Sequence, residues 1–228
     1  MKSSGGNMND LGTRRLLARW WSRALHAAGL ALLLSALPLG APANAQPAAG
    51  TGAHVYLLRG VLNIFSLGLD EIAARLEAQG IPATVVNYLA WPSLAEEAAA
   101  EYRSGRVRTI IVVGHSSGAT VLPDMVARLD QLGAPVKLAI GLDSVFRTSL
   151  SGRVGKYINF YIANGNGEPV APTRQLHGSL ENVNVQSVPG VGHVTIDKNE
   201  IMQRKVIAAI DSVVFAGARP REASAAPR

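Results

Sequence analysis

The chain has 228 residues, 48% of them hydrophobic and 17% charged, with five histidines and no cysteine. That is the composition of a folded globular chain about one domain long, and it excludes disulfides, thiolate nucleophiles, iron–sulfur clusters and cysteine zinc sites. The net charge of +6 sits at the ends: residues 1–45 carry five basic groups against one acidic, residues 217–228 three against one, and 46–216 fourteen of each. A nucleic-acid partner would need a basic stripe on the folded body, and no excess is available there to build one.

Residues 1–23 are polar and basic, and residues 24–36 form an apolar run. Pro38 and Gly40 interrupt it, and Ala43-Asn44-Ala45 follows. This is the pattern of an export signal cleaved after Ala45. The run is shorter than the ~20 apolar residues a spanning helix needs, so no stable membrane span is expected after cleavage. The paired Arg14 and Arg15 admit a twin-arginine route as well as the general one. The expected product is a periplasmic or secreted domain over 46–216, with a frayed Arg/Pro/Ala tail at 217–228.

In chain order, 54–58 reads as a buried strand and 68–79 as a helix, with Leu69, Ile72, Ala73 and Leu76 on one face and Gly80 as the stop. A strand over 82–88 and a helix over 94–103 follow. Residues 108–113 form a β-branched run, the mark of a strand covered on both faces. A helix starts near 117, with Pro123 as a kink or a fresh start. Strands are expected over 136–142, 157–163 and 183–188. The last helix runs from about 198 to 215, with Asp197 and Glu200 as its capping box. The alternation predicts a three-layer, doubly wound, mostly parallel sheet of about six strands. Ligands of such sheets sit at the carboxyl ends of the strands.

Three strand ends carry the chemistry. After 108–113 comes Gly114-His115-Ser116-Ser117-Gly118. In strand–turn–helix context this G-x-S-x-G is a nucleophile elbow presenting Ser116 at a helix N-terminus. The Ser117 N–H then faces any oxyanion formed there. A serine needs a base. His54 lies at the wrong end of its strand, and His177 sits in the loop before the last strand. His115 is expected to pack beneath the elbow, with a substrate contact as its other role. His193, in Pro189-Gly190-Val191-Gly192-His193 between the last strand and the last helix, is the expected base. The acid is Asp143, tight against the end of 136–142, with Glu168 as rival. The second oxyanion donor should come from Val61 or Leu62, beyond Gly60. Arg59 is a structural ion pair or a substrate contact. Leu62, Ile64, Phe65, Val145, Phe146 and Leu150 are an acyl pocket or part of the core.

The elbow, the order Ser116…Asp143…His193 and the strand–helix rhythm resemble the α/β-hydrolase superfamily over about 54–215. The resemblance implies a minimal hydrolase without a lid domain, similar in scale to cutinases and small bacterial lipases. One lipase branch carries its acid in a Gly-Leu-Asp sequence like Gly141-Leu142-Asp143. The implied activity is hydrolysis of a small-molecule or lipid-like ester or thioester through an acyl-serine, with no metal or organic cofactor. A peptidase or amidase on the same residues, or a non-catalytic binding protein, are the alternatives.

Overall fold

The computed structural model describes residues 51–165 and 167–216; the expected signal over 1–45 and the tail over 217–228 lie outside the described residues. Six strands form one parallel sheet in the order β2-β1-β3-β4-β5-β6. They are β1 Ala53–Arg59, β2 Ala83–Asn87, β3 Thr109–His115, β4 Val136–Leu142, β5 Ser149–Tyr161 and β6 Ala171–Asn184. Helices α1 Gly68–Glu77 and α4 Glu200–Val214 cover one face, and α2 Trp91–Arg103 and α3 Ser117–Gln131 the other. The β-branched run of β3 explains itself here. Ile111 and Val113 enter the core under α1 and α4, while Ile110 and Val112 enter the core under α2 and α3.

The crossovers fix where a ligand can sit. From β1 the chain moves one way to β2 through α1. It then crosses back over the opposite face through α2 to β3 and continues outward through α3, as right-handed connections require. The connections leaving β1 and β3 therefore diverge, opening a crevice at the carboxyl ends of these two strands.

Beyond β4 the chain departs from the expected rhythm. Among the described residues no helix joins β4 to β5 or β5 to β6. Strand β5 pairs with β4 only from Val154 onward, and its opening residues Ser149 to Gly152 pair with the opening residues of β6. Each crossover is thus an extended return path. Leu150 and Val170 bury themselves in the α2/α3 core, and glycines stand near the bends: Gly152 at φ +82° and Gly178 at φ +145°. A side chain at Gly178 would overlap the Val154 carbonyl. The expected strand at 183–188 is corrected to β6, which ends at Asn184. An edge strand with a largely exposed face has no continuous apolar run to announce it.

Of the two readings of Pro123 the fresh start is excluded, because helix α3 runs through it. The expected capping box of the last helix is corrected. The cap of α4 is Asn199, whose side chain accepts from the Ile201 and Met202 amides at 3.0 and 3.2 Å. Asp197 instead caps α1, accepting from the Gly68 N–H at 2.8 Å. Among the described residues no helix is long and apolar enough to cross a membrane.

Candidate active site

Strand β3 ends in a turn with no room for side chains around it. A Cβ on Gly118 would overlap the Leu58 carbonyl, and one on Gly114 would overlap Gly118. Ser116 is held at φ 58°, ψ −121°, a region L residues avoid. Its N–H donates to the Leu142 carbonyl at 3.0 Å, which pins the elbow to β4.

Ser116 Oγ lies 3.0 Å from His193 Nε2, and His193 Nδ1 lies 2.6 Å from Asp143 Oδ2. The Asp143 carboxylate is fully buried, and its Oδ1 accepts from the Ile162 amide at 3.0 Å. Both oxygens are thereby engaged, and the ring is fixed with Nδ1–H toward the Asp143 carboxylate and Nε2 toward Ser116. Asp143 itself sits at φ 49°, an uncommon backbone state for a residue with a side chain. A Cβ on Gly167 would overlap Asp143 Oδ1, so the β5–β6 loop needs glycine there.

The Glu168 carboxylate lies away from His193. Glu168 pairs with exposed Arg147 at 2.6 Å. His54, toward the amino end of the sheet, hydrogen-bonds Thr84 at 2.8 Å and stacks on Tyr56 with ring centroids 4.3 Å apart. Burial lowers its pKa, outweighing the opposing pull of Glu101 and Glu97. His177 is exposed within β6, not in a loop before it. Arg59 is paired with Asp70 at the start of α1.

The loop after β1 closes over the serine. The Gly60 Cα faces Ser116 so closely that a Cβ would lie 2.9 Å from the serine Cβ. The Gly60 carbonyl accepts from the Asn63 amide and Asn87 Nδ2, both at 3.4 Å. In a trans peptide the following N–H, that of Val61, points the opposite way. Leu62 and Asn63 take φ 63° and 55°. The side chains of Val61, Leu62, Ile64 and Phe65 are exposed, as is Phe146 across the site, whereas Leu150 is core.

His115 is buried and its ring centroid lies 5.4 Å from that of His193, so it packs beneath the elbow and has no surface for substrate. Its Nδ1 is 2.8 Å from Ser66 Oγ, and its Nε2 is 2.8 Å from the His193 carbonyl. Burial is the main cause lowering its pKa.

Several polar side chains that shape the site are not legible as motifs. Asn159 Nδ2 donates to the Glu168 carbonyl and to Asn182 Oδ1, both at 2.9 Å, and Asn182 in turn bonds both backbone groups of Val170. Together they hold the loop that delivers the Ile162 amide to Asp143. Thr120 on α3 bonds Ser144 at 2.9 Å and the Val145 amide at 3.1 Å, fixing the loop just past Asp143. An asparagine inside a strand facing an asparagine on its neighbour was the available signal for the first group. Among the described residues no cluster of three or more His, Asp or Glu side chains could hold a metal ion.

No protein-family model matches the chain, and no curated protein does. Solved structures similar to it include two hydrolases. One is an acetylxylan esterase, at 15% identity and TM-score 0.46, covering 73% of this chain and 100% of that one. The other is a proposed hydrolase of the alpha/beta superfamily from Xanthomonas campestris pv. campestris, at 14% identity and TM-score 0.43, covering 70% and 98%. The six-stranded parallel order, with an elbow after β3 at the switch point, defines an α/β-hydrolase fold.

Proposed function

We propose that this chain is an exported serine hydrolase that cleaves a carboxylic ester or thioester through an acyl-serine intermediate. The observation that carries the reading is the unbroken contact series from Ser116 Oγ through both ring nitrogens of His193 to the buried Asp143 carboxylate. His193 Nε2 takes the Ser116 proton as Oγ bonds the substrate carbonyl carbon. The resulting oxyanion is received by the Ser117 N–H, at the positive end of α3, and by an amide of the 61–62 turn. The imidazolium, stabilised by Asp143, returns its proton to the leaving alcohol or thiol, and the acyl-serine remains. Water then gives a proton to His193 and bonds the acyl carbon, and the acid leaves as Ser116 recovers its proton. Each oxyanion donor typically contributes ~10²–10³ in kcat.

The apolar side chains exposed at the carboxyl ends of the strands favour an ester with an apolar acyl or alcohol group. Export rests on the amino-terminal sequence. The deciding experiment is labelling by a fluorophosphonate probe together with hydrolysis of p-nitrophenyl esters. Both are expected in the wild type and both are expected to vanish in Ser116→Ala. A folded protein that takes no probe would favour the binding-protein alternative, and turnover of peptide amides in preference to esters would favour the amidase.

A further inference from the structure

We propose that Ser66 and His115 are positioning residues: a buried hydrogen-bond chain through them ties the oxyanion loop at Gly60 to the base loop at His193 and sets the spacing between the two. The proposal rests on the catalytic reading above and adds to it two side chains that touch no reacting atom.

Every proton in the chain has one place to be. The Gly60 N–H can only donate, and Ser66 Oγ accepts it at 2.9 Å. The His193 carbonyl can only accept, so His115 Nε2 carries a proton and donates to it at 2.8 Å. Burial keeps the ring neutral, so Nδ1 is bare and takes the Ser66 hydroxyl proton across 2.8 Å. The series reads Gly60 N–H to Ser66 O–H to His115 Nδ1, then His115 Nε2–H to the His193 carbonyl. A second proton at Nδ1 would face the Asp197 carboxylate, whose Oδ1 lies 4.0 Å away, but burial of the ring outweighs that pull. Ser66 is fully buried and His115 is 1% exposed, so water does not compete for these bonds.

The two ends of the series are what make it more than packing. At one end is Gly60, pressed against Ser116 and immediately before the Val61 amide. At the other is the backbone of His193, the residue whose ring touches Ser116 Oγ at 3.0 Å. The loops lie 130 or so positions apart in sequence, and on this buried side the series joins them (Lys198 Nζ ties them on the outer side, to the Phe65 and Val194 carbonyls at 2.7 and 2.9 Å). Misplacing the base relative to the oxyanion donors weakens the transition state far more than substrate binding, because the oxyanion exists only there.

The test compares kcat and KM on p-nitrophenyl butyrate, per active site titrated with fluorophosphonate, in wild type, Ser66→Ala, His115→Asn, His115→Gln and Ser66→Ala/His115→Asn. Counting only titratable sites removes any loss due to unfolded protein. Expected are falls in kcat of about 10–100-fold with KM within about twofold. The double variant should be no worse than the more severe single one, because both members belong to one series. His115→Gln, whose amide reaches the position of Nε2 and can donate to the His193 carbonyl, should recover more kcat than His115→Asn. Folded variants with wild-type kcat, or single losses that multiply in the double variant, would overturn the proposal. Should the His115 variants not fold, Ser66→Ala, which removes one atom and adds none, decides alone. A wild type that neither turns over ester nor takes the probe removes the catalytic reading and this proposal with it; an active wild type with unimpaired variants overturns this proposal only.

Discussion

His193 Nδ1 stands 2.6 Å from Asp143 Oδ2, while the competing carboxylate of Glu168 is held by Arg147. The two acids therefore make opposite predictions. Asp143→Asn keeps the shape but offers the imidazole an amide in place of a charge, so kcat on p-nitrophenyl esters should fall by about 10³–10⁴. Glu168→Gln breaks a solvent-exposed pair of small energetic weight, and its kcat should stay within about threefold of wild type. Steady-state assays of the two variants side by side check this, and a reversed order of effects would move the acid role to Glu168.

Gly60 and Gly118 are both tight glycines, yet they should fail differently when replaced by alanine. At Gly60 the added methyl would lie 2.9 Å from Ser116 Cβ and 3.2 Å from Oγ. It displaces the Ser116 side chain and crowds Ser66 Oγ, 3.3 Å away, without entering the hydrophobic core. Gly60→Ala should lose about 10–100-fold in kcat with little change in Tm. At Gly118 the methyl meets the backbone carbonyl of Leu58 inside the sheet–helix contact, where nothing flexible can yield. Gly118→Ala should lose stability, by about 1–3 kcal/mol or more, read from urea unfolding. Equal Tm losses in the two would contradict the distinction.

The contrast between these positions also shows what a sequence can reveal. The elbow was legible because its glycines, its serine and the apolar β3 before it are contiguous, and steric demand ties them to one geometry. Asp143 and His193 were legible because a parallel sheet collects at one edge whatever follows its strands. The β5 and β6 crossovers were not. Their return paths are extended, so they lack helical periodicity, and β6 shows most of one face to solvent. Ser66, Asn159 and Asn182 were equally silent. A lone serine or asparagine acquires meaning only from the buried backbone groups it meets, and those meetings join residues far apart in the chain. Asp197 misled for the same reason: its spacing to Glu200 imitates a local cap, but its carboxylate serves the amide of Gly68.

Two histidines make the fold sensitive to mild acid. Burial lowers the pKa of both His54 and His115 from the ordinary 6.5. An unfolded chain binds protons at these side chains near pH 6.5, whereas the native state resists them until lower pH. The unfolded state therefore holds more protons in that interval, and stability falls as pH drops below about 6.5. Above that value the contribution is complete. Thermal unfolding should show a plateau at neutral to mildly alkaline pH and a declining Tm below 6.5, with a shallower decline in His54→Gln. A Tm that is level from pH 8 to pH 5 would contradict this.

Among the described residues, the large apolar side chains that remain exposed follow the carboxyl ends of the strands. Val61, Leu62, Ile64, Phe65 and Leu67 follow β1, Leu89 follows β2, Phe146 follows β4 and Val194 adjoins His193; their exposures run from 45% to 72%. All lie in loops at the carboxyl ends of the strands, around Ser116. Clustered exposed apolar surface marks a binding region more than a folding requirement. Ile64→Ser/Phe146→Ser should therefore leave stability within about 0.5 kcal/mol of wild type and leave turnover of p-nitrophenyl acetate nearly unchanged. On the octanoate ester the outcome should differ. Each methylene removed from water contributes about 0.8 kcal/mol, so losing even two methylenes' worth of contact should lower kcat/KM by about tenfold, chiefly through KM. Equal effects on acetate and octanoate would mean that these side chains do not meet the acyl chain.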